Sequence, residues 1–307
     1  MTPRQDDPRA ACARLTYLAE PANPILGALL QVLPPDEVVA AIRSGNIPAA
    51  RLAETQAARI RPMLAGWRAQ LASVPPDAGV AQHAANGIHL LCPGDPEWPS
   101  RLDDLGVGRP YALWVRGTTD PQSLCGKSVA VVGSRAATAY GIHVSAEITT
   151  TLSADGWAIV SGGAYGIDAA AHRAALAAGG PTVVVLACGP DIAYPRGHAR
   201  LFDAVAANGA IISESPPGTP PDRARFLARN RLIAALACGT LVVEASPRSG
   251  TLVTARHAIE LGRPMMAVPG PVTSAMSAGC NALLRDRRAE CVTCAADVLT
   301  HIHEALP

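Results

Sequence analysis

With 307 residues, 49% of them hydrophobic and 17% charged, the chain is long enough to bury a large core and too apolar to be disordered. A formal net charge of +1 excludes bulk basicity as a source of polyanion binding, so any nucleic-acid contact must come from a local cluster. Lys127 is the only lysine, so that cluster must be built from arginine.

Residues 1–8 lack the basic start and apolar core of a signal peptide, and residues 25–33 are too short an apolar run to span a bilayer. A cytoplasmic protein without a membrane partner is expected. From residue 24 to 71, Ile25, Leu26, Leu29, Leu30, Leu33, Val38, Val39, Ile42, Ile60, Leu64, Trp67 and Leu71 recur at three- and four-residue intervals, which predicts several short helices. Pro34, Pro35, Gly45 and Pro48 separate them. These place a small all-helical domain over residues 1–76 and a linker over 77–86. Arg51, Arg59, Arg61 and Arg68 lie on it, on a solvated face or facing nucleic acid.

From residue 87 the pattern changes to strands, first at 88–91 and 111–115 and then near 128–132, 157–160, 182–186, 210–213, 240–243 and 265–268, with helical stretches between. Alternation of this kind predicts an α/β domain over 87–307 with a doubly wound, mainly parallel, Rossmann-like sheet. Runs such as Thr182-Val-Val-Val-Leu186 are apolar throughout, as strands covered on both faces are.

In such a sheet ligands lie beyond the carboxyl ends of the strands. The first parallel strand runs into Gly133, Ser134 and Arg135, and the second into Ser161, Gly162, Gly163, Ala164, Tyr165 and Gly166, with Asp168 following. Small residues of this kind bare backbone N–H groups in front of a helix, a natural anion nest, and Arg135 adds a fork-shaped cation. Tyr194 and Arg196 follow the third strand; Phe226, Arg229, Asn230 and Arg231 follow the fourth; Ser249, Gly250 and Thr251 follow the fifth. Arg135, Arg196, Arg229 and Arg231 are thus expected on one positive rim that suits a phosphodiester track. For each arginine the competing expectation is an ion pair with Glu214, Glu244 or Asp168.

Enzyme chemistry finds less support. A Gly-x-Gly-x-x-Gly turn, a Walker lysine motif and a Gly-x-Ser-x-Gly elbow are all missing, so no nucleotide cofactor and no catalytic residue are assigned. His172 is read as a packing or capping partner of Asp168. Cys291-Val-Thr-Cys294 is the one paired cysteine motif, and with only Cys280 and His301 as further conceivable ligands no metal site is assigned.

Gly133-Ser-Arg135, Ser161-Gly-Gly-Ala-Tyr-Gly-Ile-Asp168, Tyr194-Pro195, Ile212-Ser-Glu214, Phe226 with Arg229-Asn-Arg231, Val242-Val-Glu-Ala245, Ser249-Gly-Thr251 and Pro269-Gly270 with Gly279-Cys-Asn281 resemble, in order, the DNA-processing protein A (DprA, or Smf) family. The resemblance covers roughly residues 87–300. It implies an extended Rossmann-like domain that binds single-stranded DNA without sequence preference, forms a homodimer through the region of residues 252–285, and helps load the recombinase RecA in natural transformation without being an enzyme. It also implies that the helical N-terminal part is similar to a sterile-alpha-motif domain, and that this chain stops before the winged-helix domain many members carry. Arg196 stands where many members have lysine, Leu227-Ala228 replaces a proline-containing pair, and Thr251 replaces serine. The alternative is a phosphoribohydrolase-like nucleotide enzyme on a related scaffold, whose Pro-Gly-Gly-x-Gly-Thr signature is missing here.

Overall fold

The structure, a computed structural model, describes residues 7–46 and 54–305. Pro48 and Arg51 of the sequence reading lie outside these residues. Four helices come first: α1 (Pro8–Leu18), α2 (Pro24–Leu30), α3 (Pro35–Ser44) and α4 (Glu54–Ser73). The first was not foreseen, because its apolar positions are alanine and cysteine as much as leucine. Asp7 and Asn23 cap α1 and α2 by accepting N–H bonds, and each of α1, α2 and α3 begins on a proline, whose missing donor costs nothing at a first turn. Leu15, Leu26, Leu29, Val38, Val39, Ile42, Ile60 and Trp67 form their shared core.

The segment 77–86, expected as a linker, contains α5 (Val80–Ala85). The helical layer is also packed directly on the strands that follow: Cys12 and Ala13 share a buried cluster with Ile88, Leu90, Ala112 and Trp114, and the Trp114 indole donates to Thr16 Oγ1 at 3.2 Å.

Among the described residues nine strands make one sheet in the order β1-β2-β6-β5-β4-β3-β7-β8-β9. They are β1 (Ile88–Leu91), β2 (Leu113–Gly117), β3 (Ser128–Val132), β4 (Ala158–Ser161), β5 (Thr182–Leu186), β6 (Ala210–Ser213), β7 (Gly239–Val242), β8 (Met265–Ala267) and β9 (Glu290–Cys291). β1, β2 and β6 pair antiparallel, and every other pairing is parallel. The doubly wound reading therefore holds, with an antiparallel extension on one edge. The two-residue β9 is too short to leave a sequence signal.

Period-two alternation sorts each central strand between two layers. Ala130, Val132, Val160, Val183, Val185 and Val242 pack under α10 (Arg223–Leu236), α11 (Thr251–Glu260) and α12 (Ala278–Arg285). Val129, Val131, Ile159 and Leu241 pack under α7 (Ala139–Ala154), α8 (Ile167–Ala177) and α13 (Ala295–Ala305). The short α6 (Pro121–Gly126) leads into β3, and α9 (Ala199–Asn208) covers β5 and β6 with Phe202 and Val205. β3 has β4 on one side and β7 on the other, so the chain reverses its direction of winding there. A crevice opens at this switch point, beyond the carboxyl ends of the strands.

Among the described residues no single helix is long and apolar enough to cross a membrane. Six cysteines are buried and only Cys291 and Cys294 are exposed; among the described residues no three metal-ligating side chains converge.

Candidate nucleic-acid interface

The crevice is a cavity of about 820 Å³ lined by the ends of β3 and β7, the turn after β4 and the first half of α10. It gathers Gly133, Ser134, Arg135, Phe226, Arg229, Asn230, Ser249, Gly250 and Thr251 of the expected site, together with Ala164 and Asp168. Tyr165, Gly166 and Arg196 lie on neighbouring turns but do not line it; Tyr165 and Arg196 are exposed. Ser161, Gly162, Gly163 and Arg231 are buried away from it.

The glycine turns do not serve as the open anion nests that the sequence suggested. A Cβ on Gly133 would meet Ile167 at 2.4 Å, one on Gly162 would meet Arg229 at 2.2 Å, and one on Gly166 would meet the Ser134 carbonyl at 2.1 Å. These glycines let a strand end, a helix start and an arginine pack in contact. The N–H groups are also in use: Ser134 donates to the Glu244 carbonyl at 2.8 Å and Ala164 donates to the Asp168 carboxylate at 3.3 Å. The start of α7 is taken by a second carboxylate, since Glu244 accepts from Thr138 N at 2.9 Å and from Thr138 Oγ1 at 2.6 Å. The protein fills both nests with its own anions, Asp168 and Glu244. An acid one turn into the helix after β4 is the signal that predicts the first; nothing in the chain before folding brings Glu244 to α7.

The four expected rim arginines divide in two. Arg231 forks onto Glu214, with one N–H···O distance of 2.6 Å, and also donates to the Gly108 carbonyl at 2.9 Å; both side chains are buried. Arg231 is therefore a core ion pair and not a rim cation. Arg229 is only 6% exposed and donates to the carbonyls of Gly162, at 2.8 Å, and Val185, so it ties the ends of β4 and β5 together. Burial lowers its pKa to about 10, Asp168 opposes that shift, and the nearby Arg135 charge adds to it. Burial likewise raises Asp168 from the usual carboxylate range, against the pull of Arg229 and the N–H donors.

Arg135 and Arg196 remain exposed and, among the described residues, make no ion pair. The Arg135 guanidinium lies 5.1 Å from the Phe226 ring centroid, and Arg229 lies 5.9 Å from the same ring. Tyr194 tilts against Phe226 at 5.4 Å and is 41% exposed. Arg223, on the first turn of α10, also lines the cavity and is exposed. Sequence reasoning missed it, although it begins the run Arg223-Ala-Arg225-Phe226. Across the crevice Asn230 donates to the Gly250 carbonyl at 3.3 Å, and the Thr251 hydroxyl donates to the Gly133 carbonyl at 2.9 Å, which fastens the start of α11 to β3. His172 does not cap Asp168: its Nδ1 bonds Thr182 Oγ1 at 2.7 Å inside the core.

What results is a roomy cleft in which Asp168 is held by the scaffold, Asp222 caps α10, and the other exposed groups at the mouth include the cationic Arg135 and Arg223 and the aromatic Tyr194. Such a cleft suits an extended polyanion that carries flat rings.

Comparison with known proteins agrees. Residues 89–303 match the family model described as DNA recombination-mediator protein A. A protein of Mycobacterium tuberculosis named as a DNA processing protein DprA is 42% identical over 308 residues, which cover 96% of this chain and 76% of that one. The X-ray structure of DNA processing protein A from Streptococcus pneumoniae superposes with a TM-score of 0.73 at 30% identity, covering 94% of this chain and 95% of that one. DNA processing protein A from Helicobacter pylori, whose structure is described as giving insight into its single-stranded DNA binding mode, matches 72% of this chain and 97% of that one, with a TM-score of 0.63 and 28% identity.

Proposed function

Because this chain belongs to the DNA recombination-mediator protein A family, we propose that its crevice binds single-stranded DNA without sequence preference and that the protein acts as a mediator of recombination, not as a catalyst. The observation that carries this reading is Arg135: an exposed guanidinium, free of ion pairs among the described residues, held over Phe226 at the mouth of a cleft of about 820 Å³. Arg196 and Arg223 extend the cationic edge, each able to fork onto a phosphate. The commitment of Asp168 and Glu244 to backbone and hydroxyl donors supports a non-catalytic role, because neither is left to act as base or acid. In the same reading the protein works in the cytoplasm as a homodimer joined through residues 252–285, protects incoming strands and helps load RecA during natural transformation.

The test is a titration of the full chain with single-stranded and duplex oligonucleotides of equal length across a salt series. Preferential, strongly salt-dependent binding to the single strand is expected. Arg135→Ala should lose roughly 1–3 kcal/mol of that affinity and flatten the salt slope by about 0.7 per phosphate contact removed. Equal affinity of the variant, or a salt-independent wild type, would overturn the reading. Release of free base from nucleoside monophosphates would do so in favour of an enzyme.

A further inference from the structure

We propose that Phe226, although aromatic and in the cleft, stacks on no base but positions Arg135, and that Tyr194 beside it is the platform on which a base of the bound strand stacks. The inference rests on the single-stranded DNA reading above and assigns the two roles that reading leaves mixed.

Phe226 is only partly exposed, and two guanidinium groups already lie over its ring, Arg135 at 5.1 Å and Arg229 at 5.9 Å. Cations take the electron-rich face of an aromatic ring, the face a nucleobase would need. The arrangement also solves an electrostatic problem. Arg229 is buried, with its Nη1 donating to both the Gly162 and Val185 carbonyls, and its charge repels Arg135. Without an intervening ring, Arg135 would turn away from that charge and out into water. The Phe226 quadrupole attracts both cations and so keeps Arg135 at the mouth of the cleft. Phe226 is the positioning residue, and Arg135 makes the contact.

Tyr194 has the opposite surroundings. The residue is 41% exposed and lines the same cavity, and among the described residues its only ring neighbour is Phe226, at a 55° tilt. No cation lies over it among those residues. Tyr165 is more exposed still, but it does not line the cavity and its ring meets His198 at 4.6 Å. Tyr194 therefore offers exposed aromatic surface inside the cavity that Arg135 also lines. A base stacked there would belong to the nucleotide whose phosphate Arg135 holds, or to its neighbour. Stacking of this kind tolerates every base, because each has a π-face.

The experiment compares two ligands of equal length and charge: an oligodeoxythymidine, and the same backbone with abasic spacers in place of its bases. Tyr194→Ala should weaken oligodeoxythymidine binding by about tenfold and leave the abasic strand unaffected. Phe226→Leu should weaken both ligands by the same factor and flatten the salt dependence as Arg135→Ala does. Adding Phe226→Leu to Arg135→Ala should then cost little more, since both act through one contact. Phe226→Met fills a similar space without a ring and repeats the measurement if Phe226→Leu does not fold. Loss of oligodeoxythymidine binding alone in the Phe226 variants would overturn the proposal by making Phe226 the base platform; equal losses on both ligands for Tyr194→Ala would overturn it too. If the wild type binds neither ligand, the single-stranded DNA reading itself has failed, a result distinct from any redistribution between the two residues.

Discussion

Two residues apart on α10, Arg229 and Arg231 look interchangeable in a string of letters, yet neither behaves as a surface cation. Arg231 and Glu214 form a buried pair with two hydrogen bonds, and Arg231 reaches on to the Gly108 carbonyl, which holds the segment before β2 against α10. Removing one partner strands the other charge in the core. Arg231→Ala is expected to cost about 3–5 kcal/mol in chemical denaturation. Replacing both residues together, by Met at 231 and Leu at 214, should recover most of that loss. Arg135 on the exposed rim should behave inversely, with little effect on stability and a large one on affinity. The ion-pair alternative was visible in the sequence as a list of nearby acids, but choosing Glu214 for Arg231 requires knowing that β6 and α10 face each other.

At the scale of elements, the turn from β4 into α8 shows why a glycine-rich run was misread as a ligand nest. The turn after Ser161-Gly-Gly bares the Ala164 N–H, but α8 carries Asp168 in its first turn and that carboxylate accepts the bond. The same helix is fastened to β5 by His172. Thr182 Oγ1 donates its proton to the Ile159 carbonyl, so His172 Nδ1 must be the donor in its bond to Thr182, and Nε2 is buried without a partner among the described residues. Burial drives the His172 pKa from 6.5 to about 3. The folded state thus refuses a proton that the unfolded chain accepts below pH 6.5. The stability this group supports is whole above pH 6.5 and falls as the pH drops from there toward 3. Between pH 7 and pH 5 the loss should be about 2 kcal/mol. Denaturation of the wild type and His172→Gln at both pH values checks this, and the variant should show the smaller pH dependence.

For the molecule as a whole, the helical N-terminal layer is part of the same packed body as the sheet. Trp114 on β2 is fully buried beneath α1, and Arg225, next to Phe226 on α10, forks onto Glu20 at 2.8 and 2.9 Å. A chain unfolding as two independent domains would have no such seam. Calorimetry should accordingly give one cooperative transition for the full chain; two resolved transitions would contradict it. A version beginning at residue 87 should melt lower and aggregate, because Ala112 and Trp114 would lose their cover.

The sequence by itself determined the parallel sheet, most strand limits to within two residues, and the crevice as the place to look. It could do so because strands buried on both faces must be apolar throughout and because ligands collect where such strands end. It also singled out Arg135, which the structure leaves exposed at the cleft. Only the tertiary structure decided which charges were already spent. Glu244 meets Thr138, and Glu214 meets Arg231, across separations of 106 and 17 residues. Local pattern carries no record of such pairings, since an ionic partner is chosen by distance in space and by the desolvation that burial imposes on both groups.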